Sequence, residues 1–234
     1  MINFDETRII PWALACSLNG ASHTLAKINH SYFTFSPQLT DGNHISLFKE
    51  SGIIFSDQNL IRAVEYGFAM PRIIPLLVSP KISISSIKTL KAIQGFYKQA
   101  DPSLNQVMVL LRCGLETCAV FSNSYPSAKN ILADESGFIL FSIEGLGQIG
   151  WFGKNKEGNW QAGTDDAPAN PSALIIFKNI NFALKSAIGQ IDHLIDPTIG
   201  NVKTRGRIPL LDKFGFVSRI AFKLTPTPIN DRSD

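Results

Sequence analysis

Cysteine is scarce in this 234-residue chain, and the three present, Cys16, Cys113 and Cys118, are an odd number with no C-x-x-C spacing. That leaves no basis for a structural zinc site or a disulfide framework. Residues 113 and 118 stand five apart in a helical pattern, about 500° of rotation, so they do not share a face. Buried, reduced thiols are the expectation. Charge is thin as well: Asp, Glu, Lys and Arg make up 18% of the chain, the net charge is +3, and no Lys/Arg block is long enough to neutralise a run of phosphates. Nucleic acid is therefore not an expected partner. No apolar run reaches the roughly 20 residues of a bilayer-spanning helix. Met1 is followed by Asp5 and Glu6 rather than by a basic start and an apolar core, so a soluble, cytoplasmic protein without a signal peptide is the expectation.

Catalytic signatures are lacking too. The chain has no P-loop, no H-E-x-x-H and no G-x-S-x-G, which removes the commonest phosphate-binding, zinc-hydrolase and serine-nucleophile patterns. His23, His30, His44 and His193 are scattered, and Asp165 and Asp166 are loop neighbours whose side chains diverge. The expectation is a protein that is not an enzyme and uses no metal or cofactor.

What the chain does have is apolar material: hydrophobic residues make up 44%, with 16 Phe. That suffices for one large core or two small ones, since domains typically run to about 100 to 150 residues. A possible repeat favours two. Ile53-Ile54-Phe55 recurs as Ile175-Ile176-Phe177, Asn59 as Asn181, Gly67 as Gly189, Ile73 as Ile195, Pro75 as Pro197 and Lys81 as Lys203. Each block has an apolar strand-like run, a polar helix start, a glycine that can end the helix, then a proline.

In the first unit, Ser31 to Phe35 alternates polar and aromatic residues like a half-buried strand, and Ile45 to Phe48 and Gly52 to Phe55 are also strand-like. Ser56 or Asp57 caps a helix carrying Leu60, Ile61, Val64 and Phe68. Ile82 and Ile84 alternate as a short strand, and Ile87 to Tyr97 reads as a closing helix. Asp101-Pro102-Ser103 is the candidate linker. Beyond it, Leu104 to Phe121 forms a helix whose apolar face is wide enough for burial between the units or across the back of a sheet. Phe138 to Ile143 and Gln148 to Phe152 then make a hairpin around Gly145-Leu146-Gly147, followed by a strand at Trp160 to Gly163.

The last segment has the most specific order. Ala173 to Phe177 is a strand, Asn179 a helix N-cap, and Gly189 a left-handed helix end. Next come a short helix near Ile191 to Ile195 and a strand in Gly200-Asn201-Val202-Lys203-Thr204-Arg205-Gly206. An amphipathic helix from Ile208 to Phe216 follows. With Asn181-Phe182 at the start of the earlier helix, this order resembles the sterol-carrier-protein-2 family, departing from it at Arg207, where family members commonly place an acidic residue.

The resemblance implies an α/β (α+β) domain: a five-stranded, mostly antiparallel sheet with helices on one face, enclosing an apolar tunnel for fatty acyl chains, phospholipids or sterols. It divides the chain into a degenerate unit at 1–100, a sterol-carrier-like domain at 101–225 and a flexible tail at 226–234, the two units forming a pseudo-dimer. Candidate wall residues are Phe138, Phe141, Trp151, Phe182, Leu194, Leu210, Leu211, Phe214 and Phe216. Lys203, Arg205 and Arg207, part of a basic cluster with Lys213, Arg219 and Lys223, are candidates for steering an anionic head group or meeting an anionic membrane surface. The competing expectation is an interaction module that keeps the fold with its tunnel filled by aromatic side chains.

Overall fold

The computed structural model describes residues 6–40, 43–48, 53–67, 69–165, 167–191 and 195–228. Helix α1 (Ile9–Ile28) opens the chain, and small residues along it, Ala13, Ala15, Ser17 and Gly20, are buried. Three short strands, β1 (Gln38–Thr40), β2 (His44–Ser46) and β3 (Ile54–Ser56), pair antiparallel in that order. Helix α2 (Asp57–Tyr66) starts where the Asn59 N–H donates to Ser56 Oγ and ends at Gly67 in the left-handed conformation. Helices α3 (Ile73–Val78) and α4 (Pro80–Lys98) complete the N-terminal layer.

Helix α5 (Leu104–Ser124) is the centre of the molecule. Ser103 and Gln106 form a reciprocal capping box at its start, and the Gln106 amide also donates to the carbonyl of Phe96 at 2.7 Å, tying α5 to α4. Contrary to the expectation that no apolar run is long enough to span a bilayer, α5 is so by length and composition, but 72% of its most apolar window is buried inside the protein. Val107, Leu110, Leu111 and Leu115 join one core, while Val109 and Cys113 join a second core with Leu14, Leu18, Phe35 and Phe55. The wide apolar face read from the sequence is thus buried from two sides.

Helix α6 (Pro126–Ile131) leads into β4 (Phe138–Ile143), β5 (Gly147–Lys154), β6 (Trp160–Gly163) and β7 (Ala173–Phe177). Then come α7 (Ile180–Ala187), α8 (Ile195–Thr198), β8 (Val202–Gly206) and α9 (Ile208–Leu224). The five strands order as β6-β5-β4-β7-β8, with β4–β7 parallel and the other pairs antiparallel. Helices α5, α7 and α9 pack together against this sheet, and α1 packs on α5. The five-stranded, mostly antiparallel sheet expected from the sequence is present.

The two-copy expectation needs correction. The triplet strand, helix, left-handed glycine does recur, as β3-α2-Gly67 and β7-α7-Gly189. Beyond it the halves diverge: Lys81 lies in helix α4 whereas Lys203 lies in strand β8, and the first half has a three-stranded antiparallel sheet where the second has a mixed five-stranded one. Among the described residues, 9–98 form a helical layer with a small sheet, and a pseudo-dimer of two like units is not shown.

Two local expectations also change. Ile82 and Ile84 belong to α4, because the residues it buries are Ser83, Ser86, Thr89 and Ile93, at helical spacing. The Ser83 and Thr89 hydroxyls donate to the carbonyls of Ser79 and Ser85 one turn back, so hydroxyls occupy the inner face and Ile84 points outward, 68% exposed. Ser31 to Phe35 runs outside any ladder: the Phe33 N–H donates to Thr89 Oγ1 and the Phe35 N–H to Ser22 Oγ. Side chains from two helices take the place of a neighbouring strand.

Beside Gly20 of α1, where a Cβ would meet Glu116 Cγ at 2.6 Å, α5 carries the Arg112–Glu116 ion pair at 2.5 Å. Burial pushes the Glu116 carboxyl above the usual glutamate range despite the adjacent guanidinium. The folded protein therefore keeps a proton on Glu116 at pH values where the unfolded chain has lost it. Stability should fall as pH rises from the ordinary glutamate value of about 4.3 through the raised one. Denaturant midpoints across that window should show the decline, and Glu116→Gln should flatten it. Ser103→Ala, which removes the α5 cap, should cost about 1 kcal/mol in urea unfolding.

Candidate functional site

Strand alternation decides which side chains the sheet turns toward its helices. Ile139, Phe141 and Ile143 of β4, Ile175 and Phe177 of β7 and Phe152 of β5 belong to the helix-side core or pack against it. Phe152, Phe214 and Trp160 gather into an aromatic cluster, with Phe152 stacked on Trp160 at 5.0 Å and tilted to Phe214 at 4.9 Å, while Phe141 meets Phe214 edge-on at 5.7 Å. Those rings fill one part of the space between sheet and helices.

Beside them the space is empty. A cavity of about 760 Å³ lies between the sheet, α5, α7 and α9, with Phe141, Ile175, Phe177 and Val202 of the sheet among its walls. Among larger lining residues such as Leu111, Leu115 and Leu211, the helices facing it also present small ones that leave room: Gly114 and Cys118 from α5, Ser186 and Ala187 from α7, Gly215 and Ser218 from α9. On α9 the lining residues Leu211, Gly215, Ser218 and Phe222 follow one helical face. A Cβ built on Gly215 meets nothing within 4 Å. Asp212, Arg219 and Lys223, all exposed, edge the cavity, and neither cation forms an ion pair among the described residues.

A second cavity of about 370 Å³ lies where the N-terminal layer meets α5 and α9. Its walls include Leu18 of α1, Leu60 and Ala63 of α2, Leu90 of α4, and the segment from Thr225 to Pro228. Lys91 is the one charged residue among the described lining.

Of the nine wall residues expected from the sequence, Phe141, Leu211 and Phe214 line the sheet cavity. Leu210 is fully buried in the neighbouring core without reaching it. Phe138 and Trp151 alternate onto the opposite face of the sheet; the Trp151 Nε1–H donates to the Asp165 carbonyl at 2.7 Å. Phe182 is half-buried beneath the Lys185 ammonium, 5.4 Å from its ring centre, and Phe216 points outward. Leu194, like His193 and Asp166, lies outside the described residues.

The three steering cations sit elsewhere than expected. Thr204 and Val202 of β8 line the cavity, so Lys203 and Arg205 alternate onto the other face. Lys203 is held by Glu144 at 2.6 Å. Arg207 joins Lys213 in holding the buried Glu135 carboxylate, at 3.0 and 2.8 Å; that staple fastens α9 and the end of β8 to the segment before β4. The cations available at the cavity are Arg219 and Lys223, which the sequence marked only as members of a basic cluster. The small residues of the walls gave no signal beyond their helical spacing.

Among the described residues no cluster of three or more His, Cys, Asp or Glu is placed to hold a metal ion. Asp165 is engaged by Lys27. Gly145-Leu146-Gly147-Gln148-Ile149-Gly150 has the glycine spacing of a dinucleotide-binding turn, but it lies at the β4–β5 hairpin, where no helix N-terminus follows to receive a pyrophosphate.

No family model matches the sequence, and no curated protein matches it. Among solved structures the chain is similar to the sterol carrier protein domain 2 of Helicoverpa armigera, at 14% identity and a TM-score of 0.36 over 49% of this chain and 89% of that one. It is also similar to the apo form of sterol carrier protein 2 from Yarrowia lipolytica, at 12% identity and a TM-score of 0.31 over 49% of this chain and 96% of that one. At such TM-scores neither likeness decides a function.

Two thiols touch the cavities, Cys118 the larger and Cys113 the smaller. Burial pushes both up to about 12, and Cys16 is also raised by burial. At pH 8 the folded protein should therefore alkylate at least a hundredfold more slowly than the unfolded chain, whose thiols titrate near 8.5. Mass-resolved iodoacetamide labelling with and without denaturant checks this.

Proposed function

We propose that this protein is a non-enzymatic binder or carrier of an elongated apolar molecule, a fatty acyl chain, a phospholipid or a sterol, taken into the cavity between the five-stranded sheet and α5, α7 and α9. The observation that carries the reading is the cavity itself. Its volume of about 760 Å³ falls within the range of ligand sites, its walls are mostly apolar, and two exposed cations stand at its edge. The rival reading, an interaction module with the tunnel filled, requires aromatic side chains to meet across the space. Here Phe141, Phe177, Phe214 and Phe222 stand in the walls of a cavity of about 760 Å³, and that volume supports the binding reading over the filled one.

Magnitudes favour an amphiphile over a plain hydrocarbon. Burying ten methylenes yields about 8 kcal/mol at about 0.8 per group, and roughly 4 of those are spent on lost freedom, leaving millimolar affinity. A carboxylate or phosphate beside Arg219 and Lys223 strengthens this, and its contribution weakens as salt rises. An anionic membrane surface facing the same two cations is the natural place for loading and release.

Native mass spectrometry of the purified protein followed by organic extraction should reveal a stoichiometric lipid, and titration with a fluorescent fatty acid should saturate. Gly215→Leu places a side chain in the open space of the cavity. It should weaken that binding at least tenfold while leaving the helix as stable or more stable by up to about 1 kcal/mol, since leucine favours helix over glycine. An apo mass together with no fatty-acid binding overturns the reading.

A further inference from the structure

Three residues line both cavities: Gly114, Ala187 and Phe222. Two of them have little or no side chain, so the substantial group standing between the spaces is the Phe222 ring. It sits in a notch made by glycines on two other elements. A Cβ on Gly114 would meet Phe222 Cζ at 3.0 Å, and one on Gly189, which ends α7 at φ +72, would meet Phe222 Cγ at 2.8 Å. The ring is half-buried, turns on two side-chain torsions, and lies one residue before Lys223 at the edge of the larger cavity. The smaller cavity beyond it adds about half as much volume again, 370 Å³ against 760 Å³, behind walls of Leu18, Leu60, Ala63 and Leu90.

We propose that the two cavities are chambers of one binding site, with Phe222 the divider that sets how long an apolar chain the protein accepts, and with the N-terminal layer supplying the distal chamber. This rests on the lipid-binding reading above. A chain that outgrows the sheet cavity enters the second chamber when the Phe222 ring leaves its glycine notch. The ligand class is accordingly an anionic lipid with a long acyl chain, whose far end is housed among Leu18, Leu60, Ala63 and Leu90. On this reading the N-terminal layer determines ligand length.

The test is competition of a graded series of saturated fatty acids against a fluorescent fatty acid on the full chain. Ala63→Phe, which fills the distal chamber, should leave the shortest binding chains within about twofold and weaken the longest at least tenfold, as lost burial of a few methylenes requires. Phe222→Ala should shift preference the other way, toward longer chains. Thermal melts report folding. If Ala63→Phe does not fold, Phe222→Trp thickens the divider from the other side and should lower the long-to-short ratio in the same direction. A long-to-short ratio unchanged in the folded variants overturns the two-chamber proposal, and short-chain binding that Gly215→Leu abolishes then leaves the sheet-cavity reading standing. Absence of binding at every chain length overturns both.

Discussion

The structure depends on the burial of one helix from two sides. Residues Leu104–Ser124 carry apolar side chains around most of their circumference, so neither the sheet nor α1 alone can take them out of water. Fully burying each large side chain contributes about 1.5–3 kcal/mol, and α5 has Val107, Val109, Leu110, Leu111, Leu115 and Phe121 all nearly inaccessible. That gain draws the N-terminal layer onto one flank of α5 and the five-stranded sheet with α7 and α9 onto the other. The two cores are joined through it, and the smaller cavity lies along this junction.

Polar groups on α5 and around it locate the packing. Gln106 is almost fully buried yet satisfied by the Ser103 cap and the Phe96 carbonyl, which sets the angle at which the α4–α5 connection turns. Arg112 and Glu116 pair at the one stretch where α1 offers Gly20 rather than a larger residue. A buried pair of this kind contributes little net stability, but removing either partner would strand the other, so it fixes how α1 lies along α5. Glu135, held by Arg207 and Lys213, plays the same part for α9, the helix that roofs the larger cavity.

A cavity in a protein interior forgoes packing contacts that a filled core would make. Here small residues on three helices, Gly114, Ala187 and Gly215, line the space, with aromatic rings beside them. The same arrangement explains why Phe222 can stand between two spaces: glycines at 114 and 189 leave it a seat, and a side chain at either position would displace it.

Much of the chain's local structure was legible without coordinates. Capping at Ser56 and Asn179, left-handed glycines at 67 and 189, and the hairpin at 145–147 are dictated by the chemistry of a few adjacent residues, as is the wide apolar face of α5. Ile82–Ile84 is helical where its alternation suggests a strand, because period-2 alternation of Ser with Ile also fits a helix whose hydroxyls bond their own backbone and turn inward. The two halves share only a strand, a helix and a glycine stop, which are local and recur cheaply, whereas the partners that each strand takes are not encoded nearby. Wall residues followed the same divide. Large apolar residues announce burial, but whether they face a cavity, a solid core or the opposite side of the sheet depends on register, and a cavity is outlined by small residues that carry no hydrophobic signal. Sequence alone therefore determined the caps, the glycine helix ends, the hairpin at 145–147 and the wide apolar face of α5, because each is set by residues close together in the chain. Only the tertiary structure decided the pairing of β4 with β7, the assignment of Lys203 and Arg207 to carboxylates, and the pair of cavities meeting at Phe222, because each depends on groups that are distant in the chain and meet only on folding.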